Sequence, residues 1–306
     1  MTPSSTRPTP RQTLSFLKYL LEARGLRPNG KLGQNFLIDL NLLDLLVRSA
    51  DLESCDLVLE VGCGTGGLTG KLAGMAGFVL AVEIDAGFYE LCRDLTSVFP
   101  NVEIILSDIL KNKNSLHPLV LERLAVLRQQ HQLTRTKLVA NLPYVVATPV
   151  IVNCLLSDLD LERLVVTVQW EVAARLAAVP STPDYGALSV IVQSLAEVTI
   201  LRRIPPSAFW PRPKVDSAIV RILPRGDKRA AIPDLPAFHR FIHQLYLHRR
   251  KNLRGALLPH LSDRFSKPEL DAVLRQHGFD PASRAEALSV QDHLRLWQAF
   301  SGSAIP

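Results

Sequence analysis

The stretch Glu60-Val61-Gly62-Cys63-Gly64-Thr65-Gly66-Gly67-Leu68, EVGCGTGGL, closes an apolar run and opens a helix-like segment. A strand, a glycine turn and a helix in that order form the first unit of an open α/β sheet, in which the ligand sits at the turn. Two readings compete for the turn. Gly62, Gly64 and Gly67 spell the G-x-G-x-x-G of a dinucleotide site, and Glu83 follows at about the distance of a ribose-binding carboxylate. The same loop also suits an S-adenosylmethionine enzyme, which implies different chemistry.

Outward from this loop, apolar runs alternate with helix-like segments. Strands are expected at Leu57–Val61, Phe78–Glu83, Val102–Leu106, Lys137–Ala140 and Leu164–Gln169, each rich in Val, Ile or Leu and ending at a turn or polar residue. Helices are expected between them at Leu68–Met75, Gly87–Val98 and Pro149–Leu156. That rhythm predicts a mostly parallel, doubly wound sheet with its ligands at the carboxyl ends of the strands. The connection from Lys111 to Thr136 is long, and HPLVLERLAVLRQQHQ within it has helical apolar spacing, so an extra surface helix is expected there. Beyond Pro224 the pattern becomes helical at Leu235–His248, Lys267–His277 and Val290–Phe300, after a linker RGDKRAAIPDLP. The expected organisation is a flexible N-terminal tail over 1–14, an α/β domain over 15–224 and an all-α domain over 225–306.

Composition narrows the class. The 306 residues are 47% hydrophobic, ample for a folded core. No apolar run approaches the roughly 18 to 20 residues of a membrane span, and the opening MTPSSTRPTPRQT lacks the apolar centre of a secretory signal. Cys55, Cys63, Cys92 and Cys154 form no C-x-x-C pair and have no histidine at metal spacing, so neither a metal nor a disulfide framework is expected, and a cytoplasmic location fits. Charge is uneven. Residues 1–200 carry 17 Lys and Arg against 20 Asp and Glu, whereas residues 201–306 carry 18 against 9. A basic C-terminal third suits either a polyanion such as RNA or a solvated surface.

The acids decide the cofactor. Glu60 precedes the glycines and would repel a pyrophosphate seated on the loop and helix start. S-adenosylmethionine has no phosphate and carries an ammonium and a sulfonium, which an acidic site favours. Glu83 ends the second strand, where it can accept both ribose hydroxyls, and Asp108 follows the third, where it can receive the adenine amine. Three acids on successive strand ends favour a cationic nucleoside. The expected fold is therefore a Rossmann-like S-adenosylmethionine-dependent methyltransferase domain with a small all-α C-terminal domain.

The fourth strand ends in KLVANLPYVVATPV. Asn141-Leu142-Pro143-Tyr144 has the form of the amino-methyltransferase signature, in which an amide oxygen and a following backbone carbonyl accept hydrogen bonds from an exocyclic amine. Such an amine delocalises its lone pair into the ring. Two acceptors favour a more tetrahedral nitrogen and direct the lone pair at the donor methyl. Pro143 fixes the turn, and Tyr144 offers a flat face for an extruded base.

With these motifs the sequence resembles the small-subunit (16S) ribosomal RNA adenine N6,N6-dimethyltransferase family from about Leu20 to Trp297. GLRPNGKLGQNFLID is similar to its N-terminal signature, which implies cofactor contacts at Asn35 and Leu37. Glu60, Gly62, Gly64, Gly66, Glu83, Asp108 and Asn141 match its other cofactor positions. IPPSAFWPRPKVDSAIVRI resembles its F-x-P-x-P-K-V-x-S block, which implies that Phe209 is a second aromatic face for the target adenine; from the residues alone Phe209 and Trp210 read as core. YLHRRKNLRGALL resembles its basic segment, which implies RNA contacts at Arg249, Arg250, Lys251 and Arg254. The resemblance implies dimethylation of two adjacent adenines near the 3′ end of small-subunit RNA, by a monomer acting on a particle like a precursor of the small subunit, without metal or membrane. The alternatives are the related large-subunit methyltransferase of macrolide resistance and a non-catalytic ribosome-assembly factor. Two features depart from the family pattern: the length of 111–136, and His248 where Gln is common.

Overall fold

The computed structural model describes residues 12–301, so most of the tail expected over 1–14 lies outside the described residues. The chain forms two compact units. The first runs to Ala173 and takes in Thr199–Leu223; the second holds Ala174–Val198 and everything from Pro224 on. Ala174–Val198, expected from the sequence in the α/β domain, thus clusters with the C-terminal helices.

The first unit opens with α1 (Leu14–Ala23), β1 (Phe36–Leu37) and α2 (Leu40–Ser49). The sheet is then built by β2 (Asp56–Val61), α3 (Gly67–Ala73), β3 (Phe78–Glu83), α4 (Ala86–Thr96) and β4 (Val102–Leu106). A hairpin of β5 (Leu110–Asn112) and β6 (Ser115–Leu116) leads into α5 (Pro118–Gln130), β7 (Arg135–Asn141), α6 (Ala147–Leu156) and β8 (Leu161–Gln169). After α7 (Trp170–Leu176) and α8 (Ala187–Gln193), the chain returns through β9 (Ala196–Ile204), β10 (Phe209–Trp210) and β11 (Ser217–Pro224). The seven-stranded sheet has the order β4-β3-β2-β7-β8-β11-β9. Strands β4 to β8 of that order run parallel and β11 pairs antiparallel with β8.

Each residue of β2 and β3 is buried, as expected of central parallel strands covered on both faces. One covering layer joins Leu43, Leu46 and Val47 of α2 and Leu68 and Leu72 of α3 to Val58, Val139 and Val165 of the sheet. The long connection over 111–136 is no surface addition. Helix α5 packs on β2 and β3 through buried Val120, Leu124 and Leu127, and is the ordinary crossover between β4 and β7.

At the amino-terminal ends of β2 and β7 lies a buried charge cluster. The Asp56 carboxylate, 0% exposed, meets Lys137 Nζ at 2.9 Å and Arg135 Nε at 2.7 Å. Lys137, itself 1% exposed, also donates to the Asp51 carbonyl at 2.5 Å.

The second unit adds α9 (Gly226–Ala230), α10 (Leu235–Leu247), α11 (Leu253–Leu261), α12 (Lys267–Gln276) and α13 (Val290–Ser301). Helix α12 starts with a Ser266/Glu269 capping box, and α10 packs through buried Phe238, Phe241, Ile242 and Leu245. No helix among the described residues is long and apolar enough to cross a membrane.

Candidate active site

The carboxyl ends of β2, β3, β4 and β7 surround two cavities. One, of about 670 Å³, is bordered by Leu37, Glu60, Gly62 and Asn141. The other, of about 100 Å³, is bordered by Asn35, Gly64, Glu83, Asp108 and Pro143. They meet at Phe36, Gly62 and Asn141, which line both.

The glycine loop is shaped by close approach. Gly62 has φ +77°, and a Cβ on it would lie 2.9 Å from Pro143 Cγ; Gly64 has φ +53°, and a Cβ on it would lie 2.8 Å from the Phe36 ring. Both positions thus require a residue without a side chain. Gly66 behaves differently: it caps α3 and faces Cys92 and Thr96 of α4, and it borders neither cavity. Its close approach packs the loop tightly on α4.

Glu83 is fixed by three backbone donors: Oε2 accepts from Gly64 N at 2.9 Å, and Oε1 from Ile84 N and Asp85 N at 3.0 Å each. Burial raises its carboxyl above the ordinary value, and those N–H groups oppose the rise. Asp108 accepts from Leu110 N at 2.9 Å and is exposed at the rim of the smaller cavity. Each carboxylate retains lone pairs for hydroxyl or amine donors.

Glu60 is the unusual acid. It is 1% exposed, borders the larger cavity, and its Oε2 has no hydrogen-bond partner among the described residues. Burial pushes its carboxyl up to about 8, with Thr69 opposing and the Glu83 charge adding to the rise. A buried, unpartnered carboxyl oxygen facing a cavity suits a cationic ligand. Because the folded value lies above the ordinary 4.5, the Glu60 contribution to stability is complete below 4.5 and is lost as pH rises through about 8. Binding of a cation runs the other way and tightens as Glu60 ionises. Glu60→Gln is therefore expected to flatten both dependences. Urea midpoints and calorimetric affinity for S-adenosylmethionine between pH 6 and 9 check this, the ligand's own titration being common to both proteins; unchanged slopes would rule it out.

Asn141, at the end of β7, donates from Nδ2 to the Asn35 carbonyl at 2.8 Å, and its Oδ1 accepts from the Thr167 hydroxyl. Leu142 is buried, and no turn or loop hydrogen bond among the described residues ends on its carbonyl. The Pro143 carbonyl closes the turn by accepting from Val146 N at 3.1 Å. Tyr144 is half-buried, and its hydroxyl lies 2.5 Å from Ser217 Oγ. Phe209 does not present a face to a base. It is 2% exposed and packs with Leu43, Leu46 and Leu72, because β10 pairs with β1 and turns the ring inward.

Several wall residues carry no motif of their own. Ile84 and Val145 border the smaller cavity and are exposed, which suits the faces of a flat heterocycle. Gln12, expected within a mobile tail, borders the larger cavity, where its Nε2 donates to the Thr65 carbonyl at 2.8 Å and its Oε1 accepts from Thr65 Oγ1 at 2.5 Å. Among the described residues no group of three or more His, Cys, Asp or Glu is placed to hold a metal ion.

In the second unit the four expected RNA contacts divide. Arg249 pairs with Glu286 at 2.9 Å and donates to the Pro183 carbonyl at 2.6 Å. Arg254 makes a two-pronged contact with Asp271, both bonds at 2.5 Å, holding that carboxyl below its ordinary range. These two are engaged within the unit. Arg250 and Lys251 are exposed, with no ion pair among the described residues.

The sheet order, the acids on successive strand ends and the amide at the end of β7 define a Rossmann-like methyltransferase. Comparison with known proteins carries the assignment further. The chain belongs to the ribosomal RNA adenine dimethylase family, whose sequence model matches residues 25–301. It is 38% identical over 288 residues to the ribosomal RNA small subunit methyltransferase A of Pelotomaculum thermopropionicum, covering 93% of this chain and 95% of that one. It is 37% identical over 284 residues to the protein of the same name in Geobacillus thermodenitrificans, covering 92% and 94%. Among solved structures it is similar to a dimethyladenosine transferase from Plasmodium falciparum, at TM-score 0.72 and 24% identity over 86% of this chain and 96% of that one. It is also similar to the 23S rRNA methyltransferase ErmE, at TM-score 0.61 and 25% identity, covering 87% and 99%.

Proposed function

We propose that this protein dimethylates N6 of two adjacent adenines near the 3′ end of small-subunit ribosomal RNA, with S-adenosylmethionine as donor. The observation that carries this reading is Asn141, an amide locked at the junction of an acid-lined, two-lobed cavity and followed by Leu142-Pro143-Tyr144. The small-subunit target rests on the relatives of that name, which match nearly the whole chain. The cytoplasm is the expected location, and a monomer acting on a precursor-like small-subunit particle the expected form.

S-adenosylmethionine supplies an electrophilic methyl group on its sulfonium. Glu60 would hold the ammonium in the larger cavity, Glu83 the ribose hydroxyls, and Asp108 the adenine amine, with Asn35 and Leu37 closing the wall. Asn141 Oδ1 and the Leu142 carbonyl accept the two N–H bonds of the target amine and aim its lone pair. Orientation of this kind is worth several powers of ten in rate. The nitrogen becomes acidic once methylated, so its proton leaves to water. Arg250 and Lys251 would meet the RNA backbone.

Tyr144 supplies the stacking face. Tyr144→Phe is expected to retain most of the activity, because the ring remains. Tyr144→Ala should lose about 5-fold to 150-fold, from about 1–3 kcal/mol of base stacking. Steady-state rates on subunits check the pair, and equal losses in both variants would assign the role to the hydroxyl instead.

The functional test is transfer of labelled methyl groups to undermethylated small and large ribosomal subunits, separately. Label in N6,N6-dimethyladenine of the small subunit is expected. Label in the large subunit would give the protein the specificity of ErmE, and binding without label would make it an assembly factor.

A further inference from the structure

Strand β8 reads Leu-Glu-Arg-Leu-Val-Val-Thr-Val-Gln over Leu161–Gln169, and Leu164, Val165, Val166, Thr167 and Val168 are all 0% exposed. A hydroxyl in such a row is costly unless it is hydrogen-bonded, and valine has nearly the same shape without that cost. Thr167 stands in register with Asn141 on the neighbouring parallel strand, which brings their side chains together on one face of the sheet. On its other side Thr167 is in register with Ile219. Its hydroxyl donates to Asn141 Oδ1.

The partners fix which way the Asn141 amide points. The Asn35 carbonyl can only accept, so Nδ2 must face it, and Oδ1 must then face Thr167. With the amide held at both ends, one lone pair of Oδ1 stays free in a fixed direction. Without the hydroxyl, only the Asn35 contact restrains rotation of the amide.

Building on the proposed role of Asn141 as acceptor of the target amine, we infer that Thr167 is the positioning residue for the methyl-transfer step. It sets the direction of the Asn141 lone pair without touching substrate or cofactor. The sheet register makes this possible, since a hydroxyl at any other position of the row would miss the amide.

Two variants separate this role from a packing role. Thr167→Val keeps the shape and removes the hydroxyl; Thr167→Ser keeps the hydroxyl and removes the methyl group. Thr167→Val is expected to lower kcat for methyl transfer to undermethylated small subunits by about tenfold, the worth of one positioning hydrogen bond. KM for the subunit and the melting temperature should stay near wild type. Thr167→Ser should restore kcat. If Thr167→Val turns over like wild type, or if serine fails to rescue, the inference is overturned and Thr167 is a packing residue. Wild type and Asn141→Ala run alongside. If wild type transfers no methyl group to either subunit, the functional reading fails and takes this inference with it; an active wild type matched by Thr167→Val sinks the inference alone.

Discussion

Asn141→Ala is expected to lower methyl transfer by about 100-fold or more, since both the acceptor for the target amine and its fixed geometry are lost. The substitution also frees the Asn35 carbonyl and leaves the Thr167 hydroxyl buried without its acceptor. A stability loss of about 1–3 kcal/mol should accompany it. Activity must therefore be compared at a temperature where both proteins are fully folded, with single-turnover rates on small subunits as the readout. The variant should still bind the donor, because Glu60 and Glu83 are untouched. A variant with wild-type turnover would remove Asn141 from the chemistry, however suggestive its place at the junction of the cavities.

The largest expected effect on stability lies at the other end of the sheet. Asp56→Ala strands the Lys137 ammonium, which is 1% exposed and among the described residues keeps only the Asp51 carbonyl and, at 3.6 Å, Glu162. Breaking a buried pair from one side costs about 3–5 kcal/mol, because the remaining charge is uncompensated. Urea denaturation should show that loss. Asp56→Leu combined with Lys137→Met should cost less, since the fully buried ammonium is then gone and Arg135 keeps Glu53 and Glu162. Folded Asp56→Ala should turn over normally, because the cluster sits at the ends of β2 and β7 opposite the cavities. A loss under about 1 kcal/mol would mean that Glu162 and the Asp51 carbonyl suffice for Lys137.

The central sheet was readable from sequence because parallel strands buried on both faces need unbroken Val, Ile and Leu runs, and such runs mark β2, β3, β7 and β8 plainly. Glu60 and Asn141 were readable for a related reason: a polar residue closing an apolar run stands out. The returning strands β9 and β11 were not. In β9 the alternation of Ala196-Glu197-Val198-Thr199-Ile200 breaks at Leu201-Arg202-Arg203, and the strand lies at the sheet edge, paired only with β11. Thr167 was hidden because threonine is an ordinary strand former, and only the register reveals its partner. Arg249 and Arg254 looked like free cations because their acids, Glu286 and Asp271, lie 37 and 17 residues away, far outside helical spacing. Phe209 had two readings, core from the residues alone and a base-stacking face from the motif, and the pairing of β10 with β1 places its ring in the buried cluster.

That small pairing has a consequence for how the protein is made. Asn35 walls the smaller cavity, Leu37 the larger and Phe36 both, and this segment is held by Leu37 facing Phe209, Phe36 facing Trp210, and Ile38 N donating to the Ala208 carbonyl at 2.9 Å. Every acid expected to touch the donor is synthesised before residue 110, yet the clasp that sets this wall arrives only when residues 208–210 leave the ribosome. Contacts so distant along the chain close late in folding. The wall of the cleft is therefore completed only by residues made well after Asp108, the last acid expected to touch the donor.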